Sequence, residues 1–319
     1  MKANTRIPRS LLCSVWLAFS SLACGAPATT VFTTSFEASE GFDAEFELSG
    51  QGGWIGEGSG ATGLIADRFP DQGNQAYIGS FPPTNQGEFS TSIWKPLNYE
   101  PLTENKPIVT FTTTMEIADS TNGQRDDFRW SVYNAAAHRL FTLNFNNATA
   151  EICYVLDDNM GFQPTPYSFL RDTIYTLEIV MDFEGNVWSA TLDSTLLLEN
   201  QPITTSGADL DLGDIDAVWY YIDPDATGDN FMAFDNYTIT AEAANPASPT
   251  IQITDFHQDG SVTVRLEGEP DATYVIESSD GLAGWSELKT ASSGDGVIEH
   301  LDTAAALASR RFYRARLMP

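Results

Sequence analysis

Cysteine is nearly absent from this chain, and its placement makes it scarcer still. Cys13 and Cys24 fall in an N-terminal segment that reads as removable, so a cleaved chain keeps only Cys153. That excludes an intramolecular disulfide, which a remainder of about 290 residues does not need in order to bury real cores. Cys153 sits in the strand-like run Glu151-Ile152-Cys153-Tyr154-Val155 and reads as a small buried hydrophobe, not as a nucleophile. Histidine is equally scarce. His138 follows Asn134-Ala135-Ala136-Ala137 in an expected hairpin loop, and His257 precedes the turn Gln258-Asp259-Gly260, so both read as solvated loop residues. There is no Gly-x-Ser-x-Gly elbow and no zinc-type Cys/His cluster. Gly56-Glu57-Gly58-Ser59-Gly60 lacks the lysine and the helix of a phosphate loop.

Long apolar runs are missing too, apart from Leu11–Leu22, about half the roughly 20 residues of a membrane-spanning helix. Lys2, Arg6 and Arg9 precede this run and Ala23-Cys24-Gly25-Ala26 follows it, the pattern of a signal peptide over residues 1–25. The expectation is a protein secreted or held at the cell surface, without a transmembrane segment. Lipid anchoring through Cys24 is the less favoured alternative, because Ser21 stands where a lipobox prefers leucine.

Positive charge is the remaining deficit. The chain has 44 acidic and 16 basic residues, a net charge of −28. Between Thr30 and Glu242 there are 33 acids and 7 bases, and after Glu242 there are 11 and 6. Such a field repels nucleic acid, acidic membranes and polyanionic polysaccharides and attracts cations. Much of it is also what solubility alone requires.

What is present is period-two alternation, punctuated by Gly, Asn, Asp and Pro every ten residues or so. Strands are expected at 31–36, 75–81, 89–94, 108–117, 128–134, 140–145, 150–156, 174–183, 187–193, 217–222 and 231–240. No window has a convincing helical period. The fold class that follows is all-β: a large antiparallel β-sandwich of the jelly-roll type over residues 30–240. A small, Pro-containing segment at 241–250 reads as a linker. The strand pattern then resumes at 251–256, 262–266, 274–277 and 312–317, with one or two helical turns expected within 301–309, giving a small C-terminal β-sandwich domain over 251–319.

Alternation also assigns faces. Tyr175, Leu177, Ile179, Met181 and Phe183 share one side of their strand, with Glu178 opposite. Phe128, Trp130 and Val132 oppose Arg129, Ser131 and Tyr133, while Phe141, Leu143 and Phe145 oppose Thr142 and Asn144. In 217–222 both faces are bulky, which marks either a central strand or a face reserved for a ligand.

Thr34-Ser35-Phe36-Glu37, Glu40-Gly41-Phe42 and Gln51-Gly52-Gly53-Trp54 resemble the opening of secreted concanavalin A-like (LamG-like) jelly-roll domains. The stretches from Asp126 to Asn134 and from Phe234 to Tyr237 resemble their middle and closing strands. Tyr274-Val275-Ile276-Glu277-Ser278-Ser279, Trp285-Ser286-Glu287-Leu288 and Arg311-Phe312-Tyr313-Arg314 resemble a fibronectin type III-like accessory domain of secreted multidomain proteins. The resemblance implies an extracellular binding or adhesion protein with carbohydrate as its usual ligand class.

For chemistry, laminarinase-type sandwiches carry Glu-x-Asp-x-x-Glu on one strand, with one acid as nucleophile and another as general acid. That string is missing, and the adjacent Asp126 and Asp127 point to opposite faces. Calcium needs several hard oxygen ligands. Asp223, Asp225 and Asp229 supply carboxylates in one turn-rich loop, although aspartate also suits turns for its own sake. Glu37 and Asp235 would be neighbours if the first and last strands pair, and the resemblance suggests a structural calcium there. The candidate sugar-binding group is Trp219 and Tyr221 as stacking aromatics, with Arg129, Tyr133, Asn144 and Glu178 as polar partners.

The leading expectation is a monomeric, non-catalytic recognition module for a polysaccharide or cell-surface glycan of neutral charge. The alternatives are a divergent polysaccharide-degrading hydrolase or lyase, and a structural surface protein.

Overall fold

The computed structural model describes residues 28–158, 160–244, 249–281, 284–308 and 310–318. The expected signal segment 1–25, with Cys24, lies outside the described residues, as do positions 245–248 of the expected linker. The chain divides into two compact units, a larger one within Ala26–Ala244 and a smaller one within Asn245–Pro319.

The larger unit is built from fifteen strands. They are β1 (Thr29–Thr34), β2 (Ile55–Glu57), β3 (Thr62–Ala66), β4 (Asn74–Gly79), β5 (Ser90–Trp94), β6 (Ile108–Ala118), β7 (Asp127–Tyr133) and β8 (Arg139–Asn146). The others are β9 (Glu151–Leu156), β10 (Gln163–Ser168), β11 (Tyr175–Asp182), β12 (Val187–Leu192), β13 (Thr195–Pro202), β14 (Asp214–Tyr220) and β15 (Phe231–Glu242). One sheet runs β13-β12-β11-β6-β15-β4-β3, with β1 sharing the β4 edge of β15. The other runs β10-β9-β8-β7-β14-β5-β2. Every pairing is antiparallel. Chain order alternates between the sheets at β4, β5, β6 and β7 and again at β14 and β15, the nested winding of a jelly roll.

Alternation decides what lies between the sheets. Leu177, Ile179 and Met181 from one sheet and Phe128, Trp130, Val132, Phe141, Leu143 and Phe145 from the other are completely buried. Phe111, Trp130, Phe234 and Tyr237 form the aromatic centre, with neighbouring ring centroids 4.8–6.2 Å apart. Their polar atoms find partners across the layer, as buried polar groups must. Tyr237 Oη donates to the Ile215 carbonyl at 3.1 Å, and Trp130 Nε1 lies 3.4 Å from Met115 Sδ.

The four strands that alternation did not reveal, β2, β3, β10 and β13, are the four edges of the two sheets. β10 contains Pro164 and Pro166 and β2 is three exposed residues long. Edges tolerate proline and shortness because one side of their backbone need not pair.

The smaller unit has two three-stranded sheets. One is β16 (Thr250–Phe256), β17 (Val262–Glu267) and β20 (Val297–Asp302); the other is β19 (Ser286–Ser292), β18 (Thr273–Ser279) and β21 (Phe312–Leu317). Val264, Leu266, Tyr274 and Ile276 anchor its core. A 3-10 turn at Thr303–Leu307 falls where helical turns were expected, and Asp302 accepts from the Ala304 N–H at its start at 2.9 Å.

Candidate functional site

The site is built on the outer face of the seven-stranded sheet. The residues of β7 and β8 that alternate with the core set are polar, yet most are not solvated. Asp127, Ser131, Thr142 and Asn144 are all buried, as is Asp216 on β14. Register places them in rows across the strands: Asp216 opposite Ser131, which lies opposite Thr142, and Val218 opposite Arg129, which lies opposite Asn144. A polar sheet face this deeply covered is recessed, not a plain solvent surface.

Next to these rows lies a groove of about 610 Å³, within the size range of small-molecule sites. Its floor is Ser90, Ser92 and Trp94 of β5, Asp214, Asp216 and Val218 of β14, and Glu57 of β2. Tyr133 and Ala137 bound one side, and Gly87, Glu88 and Phe89 line it as well. Phe89 is 62% exposed, and Trp94 and Tyr133 are half-buried. The groove therefore combines accessible aromatic rings with carboxyl and hydroxyl groups.

Its electrostatic centre is the pair Asp214 and Asp216. The two alternate along β14 and so project on the same side, close enough for each to act on the other's ionisation. Burial raises the Asp216 pKa far above the ordinary carboxyl range, with further upward pressure from Asp214 and Glu57. Burial raises Asp214 as well. Two adjacent acids in a poorly solvated place cannot both ionise, so they hold a proton between them. Asp216 Oδ1 is buried without a hydrogen-bond partner.

Of the sugar-binding candidates, Arg129, Tyr133 and Asn144 do share this face. Arg129 Nε donates to Asn144 Oδ1 at 2.8 Å, and its guanidinium lies over the rings of Tyr220 (3.7 Å to the centroid) and Phe162 (5.0 Å). Asn144 Nδ2 donates to Asp127 Oδ2 at 3.3 Å. Burial, then Asp216, holds the Tyr133 hydroxyl pKa above its usual value.

Three candidates are corrected. Trp219 and Tyr221 are 0% and 1% exposed and belong to the hydrophobic core. They alternate inward with Ile215 and Ala217, so no sugar can stack on them. Glu178 lies on β11, opposite Thr112 and Thr191 in the other sheet, on the far side of the sandwich from the groove.

The metal candidates do not assemble a centre either. Among the described residues no group of three His, Cys, Asp or Glu side chains is placed to hold an ion. Asp229 is occupied with the Ser120 hydroxyl (2.7 Å) and the N–H groups of Thr121 (2.8 Å) and Asn122 (3.2 Å). Asp223 Oδ1 accepts from the Asp225 N–H at 3.1 Å, ordinary turn chemistry. The first and last strands do pair, and Glu37 and Asp235 interact. Glu37 accepts from the Asn74 N–H at 3.0 Å. Asp235 is buried, and its pKa is pushed up to about 6 by that burial, with smaller contributions from Glu37 and Glu40. The pair supplies two of the six to eight oxygens calcium takes from carboxylates, carbonyls and water.

The adjacent acids behave as their spacing implies. Asp126 turns toward the 222–230 loop, accepting from the N–H groups of Ile222 (2.8 Å) and Gly228 (2.7 Å), whereas Asp127 joins Asn144 and Asn147.

The residues not anticipated are Asp214, Asp216, Trp94, Phe89 and Glu57. For the aspartates a signal existed: the alternation of Val218 and Tyr220 continues backwards through Asp216 to Asp214, opposite Ile215 and Ala217. An expected strand start at Ala217 cut it off.

No family model matches the sequence, and no curated protein matches it. Solved structures do resemble the chain in shape. A basic winged bean lectin with Tn-antigen has TM-score 0.45 and 9% identity over 67% of this chain and 98% of the lectin. The CBM2 module of the evolved Dit of Lactobacillus casei BL23 phage J-1 has TM-score 0.46 and 11% identity over 68% and 97%. A sialidase has TM-score 0.43 and 6% identity over 59% of this chain, which spans only 17% of that enzyme.

Proposed function

We propose that this is an exported, non-catalytic recognition protein whose larger unit binds a non-anionic glycan in the groove on β5 and β14. The observation that carries this is the groove's composition: the accessible rings of Phe89, Trp94 and Tyr133 beside the carboxyl groups of Asp214 and Asp216 and the hydroxyls of Ser90 and Ser92. Sugars present apolar C–H faces to aromatic rings and hydroxyls to polar side chains, and this lining supplies both. Four acids line the groove, and none of its described lining residues is Lys, Arg or His, which disfavours uronate and sulfate groups.

The test is an array of neutral, amino and acidic oligosaccharides with wild-type protein and the Phe89→Ala variant, whose exposed ring can be removed without disturbing the core. Binding to a non-anionic glycan, weakened about fivefold or more by Phe89→Ala, is expected. Absence of binding across the array, or shortening of an oligosaccharide during incubation, would overturn the reading.

A further inference from the structure

Within the glycan reading, we infer that the groove selects sugars bearing a protonated amino group, such as a partly or fully deacetylated amino-sugar polymer, with Asp216 receiving the ammonium. This rests on the glycan-recognition reading and narrows it.

Three independent features converge. The first is Asp216, a groove-lining residue only 8% exposed, whose buried Oδ1 lacks a hydrogen-bond partner. An orphaned buried acceptor is costly to keep, and a ligand N–H donor removes the cost. The second is charge: Glu57, Glu88, Asp214 and Asp216 line the groove with no basic residue among its described lining. The third is the aromatic lining of Phe89, Trp94 and Tyr133, whose ring faces attract cations as well as C–H groups. A neutral hexose would use the rings and leave the charge unanswered. A simple polyamine would answer the charge and leave the stacking surface empty. An amino sugar uses both.

The pair also supplies a signature that general acidity cannot. In the free groove burial and mutual proximity favour one proton shared by Asp214 and Asp216; Glu57 on β2 pushes Asp216 further up, and the pair in turn raises the hydroxyls of Tyr133 on β7 and, from the core side, Tyr237. An incoming ammonium stabilises the second carboxylate, and the shared proton leaves to solvent. Amino-sugar binding should therefore release protons, while neutral sugars should release none. Affinity should tighten as pH rises through neutrality, until the ligand amine itself deprotonates.

The experiment is titration calorimetry of the full chain with glucosamine oligomers, their N-acetylated counterparts and neutral hexose oligomers of equal length. Each is run in two buffers of different ionisation enthalpy, for wild type and Asp216→Asn. The expected result is a preference of about tenfold or more for the free-amine oligomer, as charge-assisted hydrogen bonds provide, with proton release. Asp216→Asn should lose both. Equal or tighter binding of the N-acetylated or hexose oligomers overturns the amino-sugar inference and leaves the glycan reading standing. Binding of glucosamine oligomers that Asp216→Asn retains unchanged also overturns it, because the general negative field would then suffice. Failure of all three ligand sets removes both readings together.

Discussion

Asp214 and Asp216, two residues apart on β14, project side by side into a groove whose described lining holds no basic residue, and burial pushes Asp216 far above its solution pKa. A carboxyl group whose pKa is raised in the folded state binds more protons there than in the unfolded chain. Its penalty is absent below about pH 4, the unfolded value, and grows as pH rises through neutrality toward the folded value. Asp216→Asn should therefore raise Tm at pH 8 by a few degrees, corresponding to about 1–2 kcal/mol in a unit of this size. At pH 4 it should change Tm little. Thermal unfolding of both proteins across that range checks this; equal shifts at both pH values would contradict it.

Asp235 has the same sign over a narrower window. With a folded pKa of about 6, its destabilisation sets in above about pH 4 and is complete above about pH 6. Asp235→Asn keeps an acceptor for the Asn236 N–H, which Asp235 Oδ1 now accepts at 2.6 Å, and should stabilise the protein at pH 7.5 by on the order of 2 kcal/mol. With no group of three acidic, histidine or cysteine side chains placed to hold an ion among the described residues, millimolar calcium should leave the wild-type Tm unchanged. A calcium-dependent rise in Tm that Asp235→Asn abolishes would show that carbonyl oxygens complete a site there.

In the smaller unit the sign reverses. Asp302 is 2% exposed, yet Arg311 Nε and Tyr313 Oη, each at 2.9 Å, hold its pKa below the usual value despite burial. The stability it contributes is present above about pH 4 and lost as pH falls through the lower folded value. Asp302→Ala should cost about 2 kcal/mol at pH 7, since it strands the Tyr313 hydroxyl and leaves the Arg311 guanidinium with only the exposed Asp280 carboxylate at 3.0 Å. Urea unfolding followed at the smaller unit's Trp285 checks this, and a loss below about 0.5 kcal/mol would contradict it.

Most of the fold could be read from alternation because a strand between two paired neighbours must present one face to the core. Ile174–Phe183 shows this directly: its inward set was legible residue by residue. The edge strands β2, β3, β10 and β13 of the larger unit and β19 and β20 of the smaller one were not legible, since a strand paired on one side only is less constrained to alternate. The candidate site was legible only in part. Tyr133 follows from the polar face of a clear strand pair, as do Arg129 and Asn144, which share that face without lining the groove, whereas Trp219 and Tyr221 misled because aromatic bulk on both faces does not say which face is inside.

The sequence by itself determined an all-β chain of strong negative charge, with Arg129, Tyr133 and Asn144 on a polar sheet face, because these depend on composition and on the two-residue period of a strand. Only the tertiary structure decided which polar face is a groove. That required β14 to lie between β7 and β5, bringing Asp216 beside Trp94 and within reach of Glu57. These positions are more than a hundred residues apart in the chain, and no local pattern encodes the register that joins them.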